Sequence, residues 1–478
     1  MPELHFPWIE AAIIIPLIVS LSLWRVTDSH RQKIITSITS CIVLLLCTGE
    51  WIDFARLNIY EAHDHWDLTS WILNREILVV DALSAPLLPL AALLYTAIIA
   101  TTLRTKTVRF SFRSALLSLS TLLATLSCRD AWMVILLLTL SSLPILHELS
   151  IRKRSNRIFL IHTILSILCM IFGQLFIDLS ADSSRTHIIG GSLLTIGCLI
   201  RAGIFPMHCW ITDLCEKSAF GTAILFLLPM TGAYAIMRLV FPIAPSYALQ
   251  AIAILSLLSS IYAAAMSAVQ VDIRRLFAYM FLSHSSLVLV GLELTTPIGL
   301  AGGLLVWLSA GIALLGFALA LRSIEARTGR LSLQFFHGLQ DQIPFLAGMF
   351  LITGLAAIGF PGTIGFIGME MLLEGAVAIY PTVGVIVAIT AAINGISIMR
   401  AYFLLFTGVN HPSTGSLACK PTERIAILLI LLLIIGGGLW PQLGVHSRYH
   451  SAKELIQHRA PLSENVTRSH PESTTVSK

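Results

Sequence analysis

CLIRAGIFPMHCW, residues 198–210, sets Arg201 in the middle of an apolar run, breaks the run at Pro206 and follows at once with His208. Proline removes a backbone donor and clashes with the preceding turn, so a helix entering this stretch must stop or kink there. The same interruption recurs in AAIGFPGTIGFIGMEM, residues 356–371, where small residues again precede Phe-Pro, at Phe360 and Pro361. Interrupted hydrophobic helices at corresponding positions of two halves point to a transport site. Unwound backbone survives at bilayer depth only where protein or a water-filled cavity satisfies it.

The rest of the chain fits that setting. Of 478 residues, 56% are hydrophobic and only 12% charged, and the mean hydropathy is +0.84. Soluble domains carry about 25% charged residues, so this chain cannot cover a water-facing surface and is read as an all-α polytopic membrane protein. Its partner is the lipid bilayer. The net charge of +5 sits in loops and speaks for topology, not for nucleic acid. A spanning helix needs about 20 mostly apolar residues. That ruler predicts about 14 spans, near 8–24, 34–51, 82–103, 111–127, 131–149, 157–178 and 189–206, then 219–240, 248–269, 275–296, 298–321, 343–360, 371–406 (with a break or long tilt) and 424–440. These form a transmembrane domain over 1–440, followed by a polar tail, 441–478, that is expected to be poorly ordered.

Basic residues cluster in the first, third, fifth, ninth, eleventh and thirteenth connections, for example Arg152, Lys153 and Arg154, or Arg322, Arg327 and Arg330. The intervening loops are acidic or nearly uncharged, as in YEAHDHWD at 60–67. One consistent topology demands this parity, and it puts both termini on the non-cytoplasmic side. MPELHFPWIEAAIII has Glu3 where a secretory signal has basic residues, and reads as a retained helix. The eight cysteines lie mostly in apolar runs without a CxxC pair. His208, Cys209 and Cys215 match no usual zinc spacing, so no metal or other cofactor is expected in this chain.

Several ionisable residues fall inside spans. Arg201 lies five residues before Pro206, at a depth where a charge costs at least about 2.5–3.5 kcal/mol and marks function. Glu370 and Glu374 are one turn apart after Pro361 and share a helix face. His284, mid-helix in AYMFLSHSSLVLVG, suits proton exchange. Together they predict a polar axis through the bilayer.

IRAGIFPMHCWITD resembles the seventh-helix signature of the antiporter-like subunits of respiratory complex I, Mrp cation antiporters and membrane-bound hydrogenases, through Arg201, Pro206, His208, Trp210 and Asp213. VDIRRLFAYMFLSHSSLVLVG is similar to that family's Asp-x-Lys-Arg…Ala-Tyr…Ser-His stretch, through Asp272, Arg274, Arg275, Ala278, Tyr279, Ser283 and His284. GFPGTIGFIG (359–368) resembles the twelfth-helix motif and INGISIMRAYFLLFTG (393–408) the thirteenth. The resemblance, over about 80–440, implies two pseudo-symmetric five-helix repeats, near 111–240 and 248–406, with helices 7 and 12 broken. It also implies an ion path through Arg201, His208, Asp213, Asp272, Arg274, His284, Glu370 and Glu374.

The departures are specific. The family's fifth-helix glutamate falls on Thr139, its twelfth-helix ionisable residue on Met369, and its seventh-helix lysine on Arg201. Ile224 to Pro229 and VWLSAGIALLGFALAL, on the eighth and eleventh spans, hold nothing ionisable. Arginine stays protonated and cannot relay a proton by titrating, so the resemblance implies a reduced path past Glu370, Glu374 and His284. The opening residues and altered relay look most like the membrane subunit of DAB-type inorganic-carbon accumulation systems. That reading implies a proton-conducting subunit in the bacterial cytoplasmic membrane, with a soluble zinc-containing carbonic-anhydrase-like partner. The alternatives are a proton-pumping membrane-arm subunit of a quinone oxidoreductase or hydrogenase, with respiratory-complex subunits as partners, and a structural subunit that has lost transport. No cysteine cluster or haem motif supplies a redox site in this chain.

Overall fold

A computed structural model describes residues 3–57, 59–64, 77–179, 184–294, 296–409 and 418–468; the acidic loop at 60–67 lies only partly within them. Among the described residues the regular structure is helical, apart from a two-residue antiparallel ladder of β1 (Glu61–Ala62) with β2 (Val80–Asp81). Each of the fourteen expected segments holds a helix. The first half comprises α1 (Trp8–Ser22), α2 (Ser29–Leu57), α3 (Leu87–Ala100), α4 (Phe112–Leu126), α5 (Ala131–Ile151), α6 (Arg157–Leu179) and α7 (Ser184–Ala202). It continues with α8 (Cys209–Lys217), α9 (Phe220–Leu227) and α10 (Thr231–Ala235), the last prolonged by a π turn over Ile236–Val240. The second half comprises α11 (Ser246–Val269), α12 (Ile273–Glu293), α13 (Pro297–Thr328), α14 (Pro344–Ala357), α15 (Ile364–Ile379), α16 (Pro381–Phe406) and α17 (Pro421–Leu439), with α18 (Gln442–Arg468) closing the chain. Among the described residues, nine spans qualify by length and apolar composition alone.

Two segments differ from the sequence reading, and the break it allows within 371–406 is present. The eighth span is not one rod: it breaks at Leu228–Met230, where Met230 takes a left-handed φ of 52° beside Pro229. The long segment 371–406 is two helices, because Pro381 cannot continue α15 and instead starts α16. Of the tail expected to be poorly ordered, Gln442–Arg468 is the 27-residue helix α18, packed along α13, and 469–478 lie outside the described residues. Its Arg448, Ser451 and Ala452 recur at helical spacing and are buried. Arg448 Nη2 and Ser451 Oγ both donate to the carbonyl of Ala82, at 2.5 and 2.6 Å. A polar sequence hid an amphipathic face on which Arg448 and Ser451 are buried beside Ala452.

α13 is the central rod, buried along nearly its whole length. Small residues let α15 lie directly on it, as in close-packed membrane helices. A Cβ on Gly375 would stand 2.3 Å from Gly299 Cα, and one on Gly302 2.4 Å from Leu372 N. This contact fixes the rotation of α15.

The odd-numbered connections meet at one face through an ion-pair lattice. Arg274 forks onto Glu325, Arg327 onto Glu423, and Arg330 reaches Asp272 and Glu216. Asp81, Arg238 and the Glu61–Arg129 pair gather with α18 at the opposite face.

Candidate functional site

The two broken helices end in the same way. At the end of α7, Gly203 N donates to Ile200 O and Ile204 N to Leu199 O. At the end of α14, Gly359 N donates to Ala356 O and Phe360 N to Leu355 O. Each glycine has a positive φ, 76° and 83°, the left-handed cap that closes a helix and satisfies its last carbonyls. Proline follows within three residues in both, and the chain restarts as α8 or α15. Trp210 Nε1 satisfies the Ile200 carbonyl at 3.0 Å, and Phe205 N is held by Ser259 Oγ at 2.9 Å. The freed backbone is thus bonded inside the protein, as the bilayer requires.

A second correspondence was not seen in the sequence. Asp130 caps α5 and Asp272 caps α12, each by accepting amides of the first turn, and both helices run 21 residues. Twelve residues after each cap stand Ser142 and His284. Ser142 Oγ accepts Arg201 Nη1 at 2.7 Å, and Ser141 Oγ accepts Nη2 at 2.9 Å, just before the break after α7. His284 bonds its own helix at Met280 O, 2.7 Å away, and the backbone of Ala357, the last residue of α14. The same helix pair is therefore tied at the same level in both halves, by an arginine reaching two serines in one and by a histidine in the other. Aligning the two halves on their Asp caps is the signal that finds it.

Among the described residues the buried Arg201 has no carboxylate partner and its Nε has no hydrogen-bond partner; its guanidinium stands 4.5 Å from the centre of the Phe226 ring. It lines a cavity of about 20 Å³ shared with Trp210, Met230, Phe281 and Ser285, enough for one water molecule. The break in the eighth span, at Met230, forms one wall, and the cavity reaches α12 one residue beyond His284. His208 is buried beside Tyr262, with Nε2 3.4 Å from the phenol oxygen. Asn394 on α16 donates to Ser283 Oγ at 2.8 Å, completing a polar patch around His284.

Other sequence candidates lie elsewhere. Thr139 bonds only its own helix, at Ile135 O; Ser141 and Ser142 face Arg201 instead. Asp213 pairs with Lys217 one turn on, Asp272 is a helix cap, and Arg274 is locked to Glu325, all toward the basic face. Glu370 and Glu374 share a helix face, but it is the exposed outer face of α15; Met369 is buried instead. Among the described residues no group of His, Cys, Asp or Glu is arranged to hold a metal. Sequence reading also missed a largely buried ion pair. Arg238, on the π turn, donates Nη1 and Nη2 to Asp81 at 2.5 and 2.9 Å, and its Nε to Tyr234 Oη at 2.9 Å.

Comparison with known proteins agrees with this architecture. The family model for the transmembrane part of NADH:quinone oxidoreductase and Mrp antiporters matches residues 158–394. NAD(P)H-quinone oxidoreductase chain 4 3 of Trichormus variabilis is 25% identical, over 99% of this chain and 96% of its own length. NAD(P)H-quinone oxidoreductase chain 4 1 of Synechococcus elongatus is 28% identical, over 93% and 90%. A chain of respiratory complex I from Thermus thermophilus superposes with a TM-score of 0.82 at 21% identity, covering 94% of this chain and 99% of that one. A chain of the Mrp complex from Dietzia sp. gives 0.83 at 16% identity, covering 95% and 99%.

Proposed function

This chain belongs to the NADH:quinone oxidoreductase/Mrp antiporter transmembrane family, and we propose that it is a proton-translocating membrane-arm subunit of a quinone-oxidoreductase-type complex. The relatives carry oxidoreductase names; they lend no support to inorganic-carbon accumulation or to a carbonic-anhydrase-like partner, and they favour the respiratory alternative. The observation that carries the reading is the matched pair of broken helices, each tied to its neighbour by a polar residue at one level, with a water-sized cavity that runs from Arg201 to Ser285, the residue next to His284.

The roles follow from side-chain chemistry. His284 is the one imidazole at a tie, the side-chain type suited to taking up and passing on a proton. Arg201 holds a permanent charge against the cavity; it opposes a proton resting there and so drives it onward. His208, with Tyr262, extends the polar route toward the break after α7. Asp213, Asp272 and Arg274 serve the basic face, where they hold helix ends together. Glu370 and Glu374 face outward at a depth where carboxylates are kept within protein or water, which supports their contact with another subunit. The basic face lies in the cytoplasm of a bacterial inner membrane, with the N-terminus opposite.

Proton flux into vesicles bearing the assembled complex tests this. His284→Ala should cut flux about a hundredfold, as loss of a positioned proton-transfer group does, and Arg201→Gln should also impair it. Wild-type flux in both variants would leave only a structural role. Copurification identifies the setting: flavin or iron–sulfur subunits support the oxidoreductase, whereas a soluble zinc protein would restore the carbon-accumulation reading.

A further inference from the structure

A cavity of about 200 Å³ opens at the basic face, away from the polar axis, where the ends of α5 and α13, the starts of α9 and α12 and the 3₁₀ turn Arg104–Arg109 converge. Four cationic side chains line it, Lys106, Arg152, Arg274 and Arg322, against two carboxylates, Glu325 and Glu423. Those carboxylates are already engaged. Glu325 takes the fork of Arg274, and Glu423 is held by Arg327 from outside the cavity. Arg152 pairs with Glu148 at 2.9 Å. Among the described residues neither Lys106 nor Arg322 makes an ion pair. Arg322 spends its Nη groups on neutral acceptors instead, Ile98 O and Thr102 Oγ, both at 2.8 Å.

The cavity is built to keep this excess positive charge. Gly221 lies against the Arg322 guanidinium, where a Cβ would stand 3.2 Å from Cζ. The first turn of α9, Phe220 and Gly221, forms part of the wall, so the positive end of that helix dipole adds to the side-chain charge. Phe110 and Phe220 give the cavity an apolar side. Cations are repelled by such a site, and a proton relay is not served by groups that stay charged. A phosphate group flanked by hydrocarbon matches both walls, and the cavity stands among the loops and helix ends that meet the head-group layer. Basic pockets between helices on that side bind anionic head groups.

We propose that this cavity binds the phosphate of an anionic phospholipid from the surrounding leaflet. The full chain, purified with its companion subunits and washed with detergent, is assayed for bound lipid by native mass spectrometry and for melting temperature. Wild type should retain anionic phospholipid, and adding phosphatidylglycerol should raise the melting temperature where phosphatidylcholine does not. Lys106→Glu sits on a half-exposed turn and leaves the helix packing intact; it should lower retention about fivefold or more, as loss of one cation at a head group does. Arg322→Gln should do the same. Equal retention by wild type and both variants would overturn the proposal. So would stabilisation by inorganic phosphate with no lipid retained, which assigns the site to a soluble anion.

Discussion

A single charge in an apolar run decides little until its partners are known. Arg201 was legible as a lone cation beside a proline, but its acceptors, Ser141 and Ser142, belong to a residue type that occurs throughout these helices and carries no warning. Arg238 and Asp81 show the same limit. Neither stands out in the sequence, because a pair 157 residues apart is made by the fold alone. Asp81 is buried and Arg238 largely so, and removing one partner strands the other. Arg238→Ala should destabilise the protein by about 3–5 kcal/mol, whereas Arg238→Met with Asp81→Asn should recover most of the loss. Equilibrium unfolding in detergent of the single and double variants checks this; a double variant no better than the single would show that the pair is not the source.

At the scale of helices, the Phe-Pro interruptions were readable because proline has one steric consequence. The outward face of α15 was not, since helical spacing groups Glu370 with Glu374 without saying which side faces inward. Glycine contacts decide that. Gly375→Val has no room against Gly299 and should cost about 1–3 kcal/mol through overpacking, or prevent assembly, as read by yield and melting temperature; Gly436→Val, with open space around it, is the control. α18 supplies a pH test. Burial, then the charges of Asp81 and Glu61, pushes the Glu454 carboxyl up to about 7, above its ordinary 4.5. A raised carboxyl pKa means that the docked helix binds the proton more tightly than the undocked one. Docking is therefore strongest below the ordinary value and weakens as pH rises through about 7. His450, 3.3 Å away, is the facing imidazole. Protection of the α18 amides, taken relative to their intrinsic exchange rates at each pH, should be lower at about pH 8 than at about pH 6, and Glu454→Gln should remove most of that difference. Equal protection at both pH values in wild type would contradict the assignment.

Across the whole molecule, an odd number of helices per repeat turns the second half upside down. Asp272 caps α12 among the basic-face ion pairs, while the start of α5 lies near β2, at the opposite end. Inversion explains why two chemically different ties, an arginine and a histidine, occupy one level: each half offers its broken helix to the midplane from the other side. It also makes orientation a single measurable fact. The sequence announced it through loop parity, because the positive-inside bias needs only residue counts, and the lattice joining Arg274, Arg327 and Arg330 to their acids puts those loops on one face. Gln334, in the loop after α13, and Ser246, at the start of α11, are exposed at opposite faces. In a background with Cys209 and Cys419 replaced by serine, a membrane-impermeant maleimide should label Gln334→Cys only in inside-out vesicles and Ser246→Cys only in right-side-out ones. The reverse pattern would place the basic face outside and overturn the orientation read from the loops.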